Sequence, residues 1–309
     1  MWSQDKAYSD LMQELWGSPT RWNARKTYTD VARKLGVDDE TVRNRLRHMK
    51  ESGFLVGWRL VPNPSLMGRE SALLYLEFAD PESKQEAISR LARTGGVVII
   101  ASVYGSSLLL TLFDDASRAL SKRIAGMYRS VKAQTIPGMR FPRSAFRMTV
   151  TDWQIVRQML GDAERRISGV AKEVAVSQRT VKRRLDRMMD SSAIFVMPMI
   201  NQSRSDGVAY QLMVEGESMS STEVEKLVAP RIENLVFRAP YSKSGTIFGF
   251  YGRNVAEGSE LLRWIKAQPG VRSARMSIIE DIKYVSDWLE TETERLGGVI
   301  AASRGLGGG

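Results

Sequence analysis

The sequence predicts an α+β protein in which two helix-turn-helix heads alternate with two βαββαβ units, and three observations carry that prediction. One short pattern occurs twice, 139 positions apart: Val31-Ala32…Val37…Thr41-Val42…Arg45-Leu46…Met49 returns as Val170-Ala171…Val176…Thr180-Val181…Arg184-Leu185…Met188. Aligned without gaps, Val31 to Met49 and Val170 to Met188 share 8 of 19 positions. Behind each copy, runs rich in β-branched residues alternate with helical periodicity in one order. The length of 309 residues exceeds one ordinary core, and 43% hydrophobic with 26% charged residues suits a globular chain.

In the first head, Asp5 to Trp16 reads as an opening helix with Tyr8, Leu11, Met12, Leu15 and Trp16 on its apolar side. Thr29 to Leu35 is a short second helix, Gly36 its left-handed stop, and Asp38 the N-cap of the third. Val42, Leu46 and Met49 then fall at i, i+4 and i+7 on one buried stripe. In the second head the opening helix is Asp152 to Leu160, Ser177 is the cap, and Val181, Leu185 and Met188 repeat the stripe, with Ala175 where Gly36 stood.

After Gly53, Phe54 to Val61 reads as an extended connector and Pro62 to Gly68 as a turn. Strands Ala72 to Phe78, Val97 to Tyr104, Leu108 to Phe113 and Val131 to Ile136 enclose helices Pro81 to Arg93 and Ala116 to Met127. The second half repeats the order with strands Val208 to Val214, Leu235 to Ala239, Thr246 to Tyr251 and Val271 to Ile279, and helices Thr222 to Ala229 and Val255 to Ala267. Tyr104 and Tyr241 take equivalent places before the central turns. A βαββαβ unit is the ferredoxin-like layout, a four-stranded antiparallel sheet with two helices on one face. Its open face needs a partner, so the two units are expected to pack together. Glu280 and Asp281 are expected to open a last, amphipathic helix over Ile282 to Leu296, with Tyr284, Val285, Trp288 and Leu289 inward. The domains are then 1–61 and 149–201 for the heads, 62–148 and 202–296 for the βαββαβ units, and 297–309 for a flexible glycine-rich tail.

The net charge of +10 and pI near 9.8 favour a polyanionic partner. The two third helices carry that charge unequally. Ser177 to Met188 holds Arg179, Lys182, Arg183, Arg184 and Arg187 against Asp186, a net +4, whereas a merely solvated face mixes signs. Asp38 to Met49 sets Arg43, Arg45 and Arg47 against Asp38, Asp39 and Glu40, a net of zero. In helix-turn-helix docking the outward residues near the N-terminus reach base edges. These are Gln178, Arg179, Lys182 and Arg183 in the second head, and Asp39, Glu40, Arg43 and Asn44 in the first. Arg45, Arg47, Arg184 and Arg187 lie further along and either touch phosphate or pack as snorkelling side chains. The basic loop Ser18 to Lys26 either adds backbone contacts or is solvated.

A head, an extended connector and a βαββαβ domain in that order resemble the Lrp/AsnC (feast/famine) transcriptional regulators. The likeness rests on Val31-Ala32…Leu35-Gly36-Val37…Thr41-Val42…Arg45-Leu46…Gly53-Phe54-Leu55, then Asn63-Pro64…Leu66…Gly68, Val103-Tyr104-Gly105 and Pro269-Gly270-Val271. It runs from about Asp5 to Ile279 and implies two family units fused into a covalent pseudo-dimer. The resemblance implies binding of double-stranded DNA at an asymmetric site, an amino-acid-like small-molecule effector, and homo-oligomers formed through the βαββαβ domains. The family's sensor motif has Gly followed two residues later by Asp; here Gly105 is followed by Ser106-Ser107, and the second copy reads Ser242-Lys243-Ser244, which leaves amino-acid sensing and a domain used only for assembly as the two alternatives.

Other function classes find little support. Cysteine is absent, which excludes disulfides, thiolate metal sites and Cys nucleophiles and suits a reducing compartment. Met1 to Asp5 begins no signal peptide, and the longest apolar runs, Gly96 to Ala101 and Leu108 to Phe113, are strand-sized. A cytoplasmic protein without a membrane partner, metal or cofactor is expected. Some relatives of this architecture are haem-pathway decarboxylases that use histidines near a tetrapyrrole, but the single histidine, His48, falls on the recognition helix. No catalytic constellation appears, so the chain reads as a non-enzyme. The competing class is a protein-interaction scaffold with degenerate heads, which the acidic start of the first recognition helix keeps open.

Overall fold

The structure, a computed structural model, describes residues 5–16, 28–128 and 131–305. The first head comprises α1 (Lys6–Trp16), α2 (Tyr28–Leu35) and α3 (Asp39–Glu51). The second comprises α6 (Val150–Met159), α7 (Ile167–Glu173) and α8 (Gln178–Asp190), with α4 (Pro81–Ala92) and α5 (Ala119–Met127) lying between the heads in the chain. Asp38 caps α3 by accepting from Thr41 N–H at 2.6 Å, and Ser177 caps α8 by accepting from Thr180 N–H at 3.1 Å. Gly36 takes the left-handed conformation at φ +66, and Ala175 holds the same conformation at φ +54. Gly53 and its counterpart Ser192 repeat the contrast at φ +75 and +56. The second head therefore keeps the turn geometry with side chains that strain it. The basic loop Ser18 to Lys26 lies outside the described residues.

Each head runs into an apolar strand, β1 (Leu55–Pro62) or β6 (Ile194–Ile200), and these two pair antiparallel as a ribbon with Arg59 opposite Met197. At the ribbon's ends Asn63 and Asn201 each cap a short 3-10 turn by accepting from the backbone N–H two residues on. Asn63 is fully buried, and its amide donates to the Pro142 and Ser192 carbonyls, tying the first connector to the second head.

The remaining strands are β2 (Glu70–Glu77), β3 (Val97–Val103), β4 (Ser107–Asp114), β5 (Lys132–Pro137), β7 (Val208–Gly216), β8 (Leu235–Pro240), β9 (Gly245–Gly252) and β10 (Val271–Tyr284). They form one eight-stranded sheet in the order β5-β2-β4-β3-β10-β7-β9-β8, which is two ferredoxin-like sheets joined at β3 and β10. The outer face of the first half packs on α4 and α5, and that of the second on α9 (Ser221–Val228) and α10 (Val255–Lys266). The inner faces share one apolar core with both heads and the ribbon, from Leu11 and Met49 through Leu60 and Val196 to Leu109 and Ile247.

Several expectations are corrected. The α5 helix starts at Ala119 rather than Ala116, because the buried Asp114 carboxylate takes the N–H groups of Leu120 and Ser121 and sets the first turn there. Glu280 and Asp281 lie within β10 and open no helix. The strand pairs with β7 over Val271–Ile278, then crosses to β3 from Ile279 to Tyr284. The last helix, α11, accordingly spans Asp287–Gly305 and takes in residues expected to be a flexible tail. It packs on α6, and the Trp288 indole N–H donates to the Val97 carbonyl at 2.6 Å. Residues 306–309 lie outside the described residues. Tyr104 and Tyr241 do take equivalent places, directly after β3 and β8, but in different surroundings: Tyr104 is 72% exposed and Tyr241 only 7%.

The seam between halves is lopsided. Where β10 runs on to pair with β3, the corresponding first-half segment beyond β5 contributes one backbone bond to β8, from Arg140 N–H to the Pro240 carbonyl. Pro137 and Pro142 bracket that segment and have no N–H to donate. The free edge of β8 is covered by α1 instead.

Candidate nucleic-acid interface

Helix α8 presents two distinct faces. Val181, Leu185 and Met188 are fully buried, while Gln178, Arg179, Lys182, Arg183 and Arg187 are exposed. Among the described residues Arg179, Lys182 and Arg183 have no ion-pair or hydrogen-bond partner, so three cations stand uncompensated beside Gln178 over the first two turns. Arg187 lies over the Phe146 ring at 5.7 Å.

Arg184 turns the other way. It donates to the Asp152 carboxylate at 2.8 Å and the Thr149 hydroxyl at 3.0 Å, and Asp152 is buried. Thr149 and Asp152 form the capping box of α6, so this arginine clamps the recognition helix to the opening helix of its own head. Arg45 does the same in the first head, reaching the Ala7 carbonyl at 3.4 Å. Of the two roles open to this pair in the sequence, the structure shows packing. The phase of the helix contains that answer: Arg45 and Arg184 stand three residues after Val42 and Val181, inside the buried stripe.

The first head's surface is occupied by its own partners. Asp39 accepts from the Thr29 hydroxyl at 2.7 Å, Arg43 stacks over Tyr28 at 5.3 Å, and Arg47 donates to the Asn44 side-chain carbonyl at 2.7 Å. The Asp38 carboxyl is held below its usual range by the hydroxyl and backbone N–H of Thr41. Lys50 pairs with Glu164 of the second head at 2.8 Å, and Ala163 N–H donates to the Trp58 carbonyl at 2.8 Å. These bonds, with the shared core, fix the heads to each other through the ribbon. His48 is exposed on α3, 6.0 Å from the Tyr8 ring.

Around Gly105, where the family pattern expects a sensor motif, buried Lys84 donates to the Val103 and Gly105 carbonyls and pairs with Glu280 of β10 at 2.8 Å. No cluster of metal-ligating side chains occurs among the described residues, and no helix there is long and apolar enough to cross a membrane.

No known family profile matches the chain. It is 29% identical over 83 residues to the HTH-type transcriptional regulator Ptr1 of Methanocaldococcus jannaschii, covering 27% of this chain and 56% of that one. An uncharacterised HTH-type transcriptional regulator of Pyrococcus furiosus is 33% identical over 72 residues, 23% of this chain and 45% of its own. The chain thus spans about half the length of these two curated relatives. An uncharacterised HTH-type regulator of Pyrococcus horikoshii is 25% identical over 143 residues, which is 92% of that protein and 44% of this chain, the proportion expected of one unit against two. Among solved structures, the siroheme decarboxylase NirDL has the same two-unit fold, with a TM-score of 0.57 at 14% identity over 96% of this chain and 100% of that one. By sequence the chain is similar to HTH-type transcriptional regulators, LrpA of Pyrococcus horikoshii among them, and it is built in a duplicated, two-unit form.

Proposed function

We propose that the chain is a double-stranded-DNA-binding transcriptional regulator of the Lrp/AsnC kind, with unequal heads that read an asymmetric site. The observation that carries this reading is the uncompensated row Gln178, Arg179, Lys182 and Arg183 on an exposed recognition helix, set against a first head whose Arg43, Asn44 and Arg47 are engaged locally. In this reading Arg187 touches phosphate, while Arg45 and Arg184 each brace the recognition helix within its own head. The test is duplex binding across salt concentrations after selection of sites from genomic fragments. Replacing Arg179, Lys182 and Arg183 with Ala removes most binding and flattens the salt dependence by about 2–3 counterion units. Normal binding by that variant overturns the assignment. Failure of the unmodified chain to bind any selected sequence at low salt favours the protein-interaction scaffold.

The likeness to NirDL is one of fold. Our reading takes only the fold from it: the one histidine, His48, sits on α3, and the cavity of about 100 Å³ between the ribbon and the inner face of the sheet is lined by no histidine. Tetrapyrroles are several times larger than such a space. The non-enzymatic reading predicts no absorbance shift on titration with an iron tetrapyrrole, and a saturable shift defeats it.

A further inference from the structure

Arg59 is a charge the DNA-binding reading does not use. It sits in the middle of β1, 1% exposed, and no carboxylate lies within ion-pair distance among the described residues. Its guanidinium donates to the carbonyls of Val98 at 3.4 Å and Val285 at 3.1 Å and lies 5.7 Å from the centre of the Tyr284 ring, while its Nε–H has no acceptor. Burial lowers its pKa to about 10 and raises that of Tyr284 to about 12. An interior cation without a counter-ion is an unfavourable arrangement that a bound anion relieves.

A cavity of about 100 Å³ lies on the same side of the ribbon: Met197, directly opposite Arg59 in the register, lines it, as does Tyr284. Its remaining walls are mainly apolar, with Ile99, Val236, Phe237 and Ile247 prominent. Two polar groups in the lining have donors to spare. The Tyr284 hydroxyl accepts from Ile200 N–H at 3.0 Å, leaving its own proton without an acceptor among the described residues. The Gln202 carbonyl accepts from the Tyr251 hydroxyl, leaving the amide protons of Gln202 without an acceptor among the described residues. The wall thus offers donors and no ionised acceptor, in the field of a buried positive charge.

We infer that this cavity binds a small carboxylate with a short apolar body, its oxygens at the Tyr284 hydroxyl and the Gln202 amide and its hydrocarbon against the apolar wall. An apolar cavity of about 150 Å³ holds the six non-hydrogen atoms of benzene, so this one suits about four. The site has no twin, because duplication has placed Pro198 opposite Arg59 in the pseudo-symmetry and Ala145 opposite Tyr284. This ligand gives the expected small effector a chemical class and a place distinct from the Gly105 turn. Its test reads ligand binding alone, so it fails or stands independently of DNA recognition.

The experiment is calorimetric titration of the full chain with acetate and with its neutral isostere acetamide. Acetate is expected to bind at least tenfold more tightly than the amide. Tyr284→Phe reduces that preference at least fivefold, and Ala101→Leu, which fills the cavity without touching a polar group, abolishes binding of both. Arg59→Met removes the preference if the variant folds, and the comparison of acid with amide on the unmodified chain stands without it. Equal affinity for acid and amide, no binding of either, or full binding by Ala101→Leu overturns the inference.

Discussion

Arg183 and Arg184 are neighbours of equal charge with opposite expected consequences. Arg183 is exposed and has no partner among the described residues, whereas Arg184 holds the carboxylate of Asp152, itself 1% exposed, at 2.8 Å. Replacing Arg184 with Met keeps the aliphatic stem and leaves Asp152, among the described residues, with only Thr149 as a partner. Breaking one side of a buried ion pair costs about 3–5 kcal/mol. The arginine side chain is 27% exposed, so water screens part of the interaction and the expected loss is about 2–3 kcal/mol. Arg183→Met stays within about 0.5 kcal/mol of the parent. Urea unfolding followed by tryptophan fluorescence measures both, and anisotropy of a labelled duplex measures binding. The expected pattern is crossed: Arg184→Met loses stability, Arg183→Met loses affinity. Adding Asp152→Asn to Arg184→Met recovers much of the loss, because the buried charge leaves with its partner. Equal stability of Arg184→Met and the parent, or equal destabilisation by the two arginine variants, refutes the reasoning.

Three further outcomes follow from the same geometry. Ala175→Gly relieves a left-handed residue worth about 1–2 kcal/mol against about 0.5–1 kcal/mol of added chain entropy, so a net gain of roughly 0.5–1 kcal/mol is expected in thermal melts; a loss counts against the strain. Lys84→Met removes two bonds within the first half and one to Glu280 of the second and lowers stability by about 1–3 kcal/mol in urea, while unchanged unfolding argues that Glu280 and the two carbonyls are satisfied elsewhere. Arg43→Ala with Asn44→Ala weakens duplex binding less than Arg179→Ala with Arg183→Ala, and the reverse order in anisotropy titrations makes the first head the principal reader.

The heads and the order of strands and helices were legible because local chemistry sets them. Asp38 and Ser177 cap where the sequence suggests, and the stripes through Val42 and Val181 are buried. The continuation of β10 was hidden, since Glu280, Asp281 and Lys283 resemble a polar helix start until β3 of the other half supplies their ladder. Partner-dependent structure of this kind has no local signature. The opposed aims of Arg183 and Arg184 were present in the helix phase but masked by their shared charge. Arg59 was invisible among the apolar residues of β1, because nothing in its neighbourhood along the chain reports the missing carboxylate.

The lopsided seam has a consequence for how such a protein diversifies. In a symmetric homodimer every substitution is written on both faces at once, so a proline that ends one strand pairing ends its twin and a useful charge arrives with an unwanted copy. Once the two units share a chain, each seam becomes separately editable. Here Pro142 interrupts one junction while the other lengthens through Tyr284, without either change being imposed on both sides.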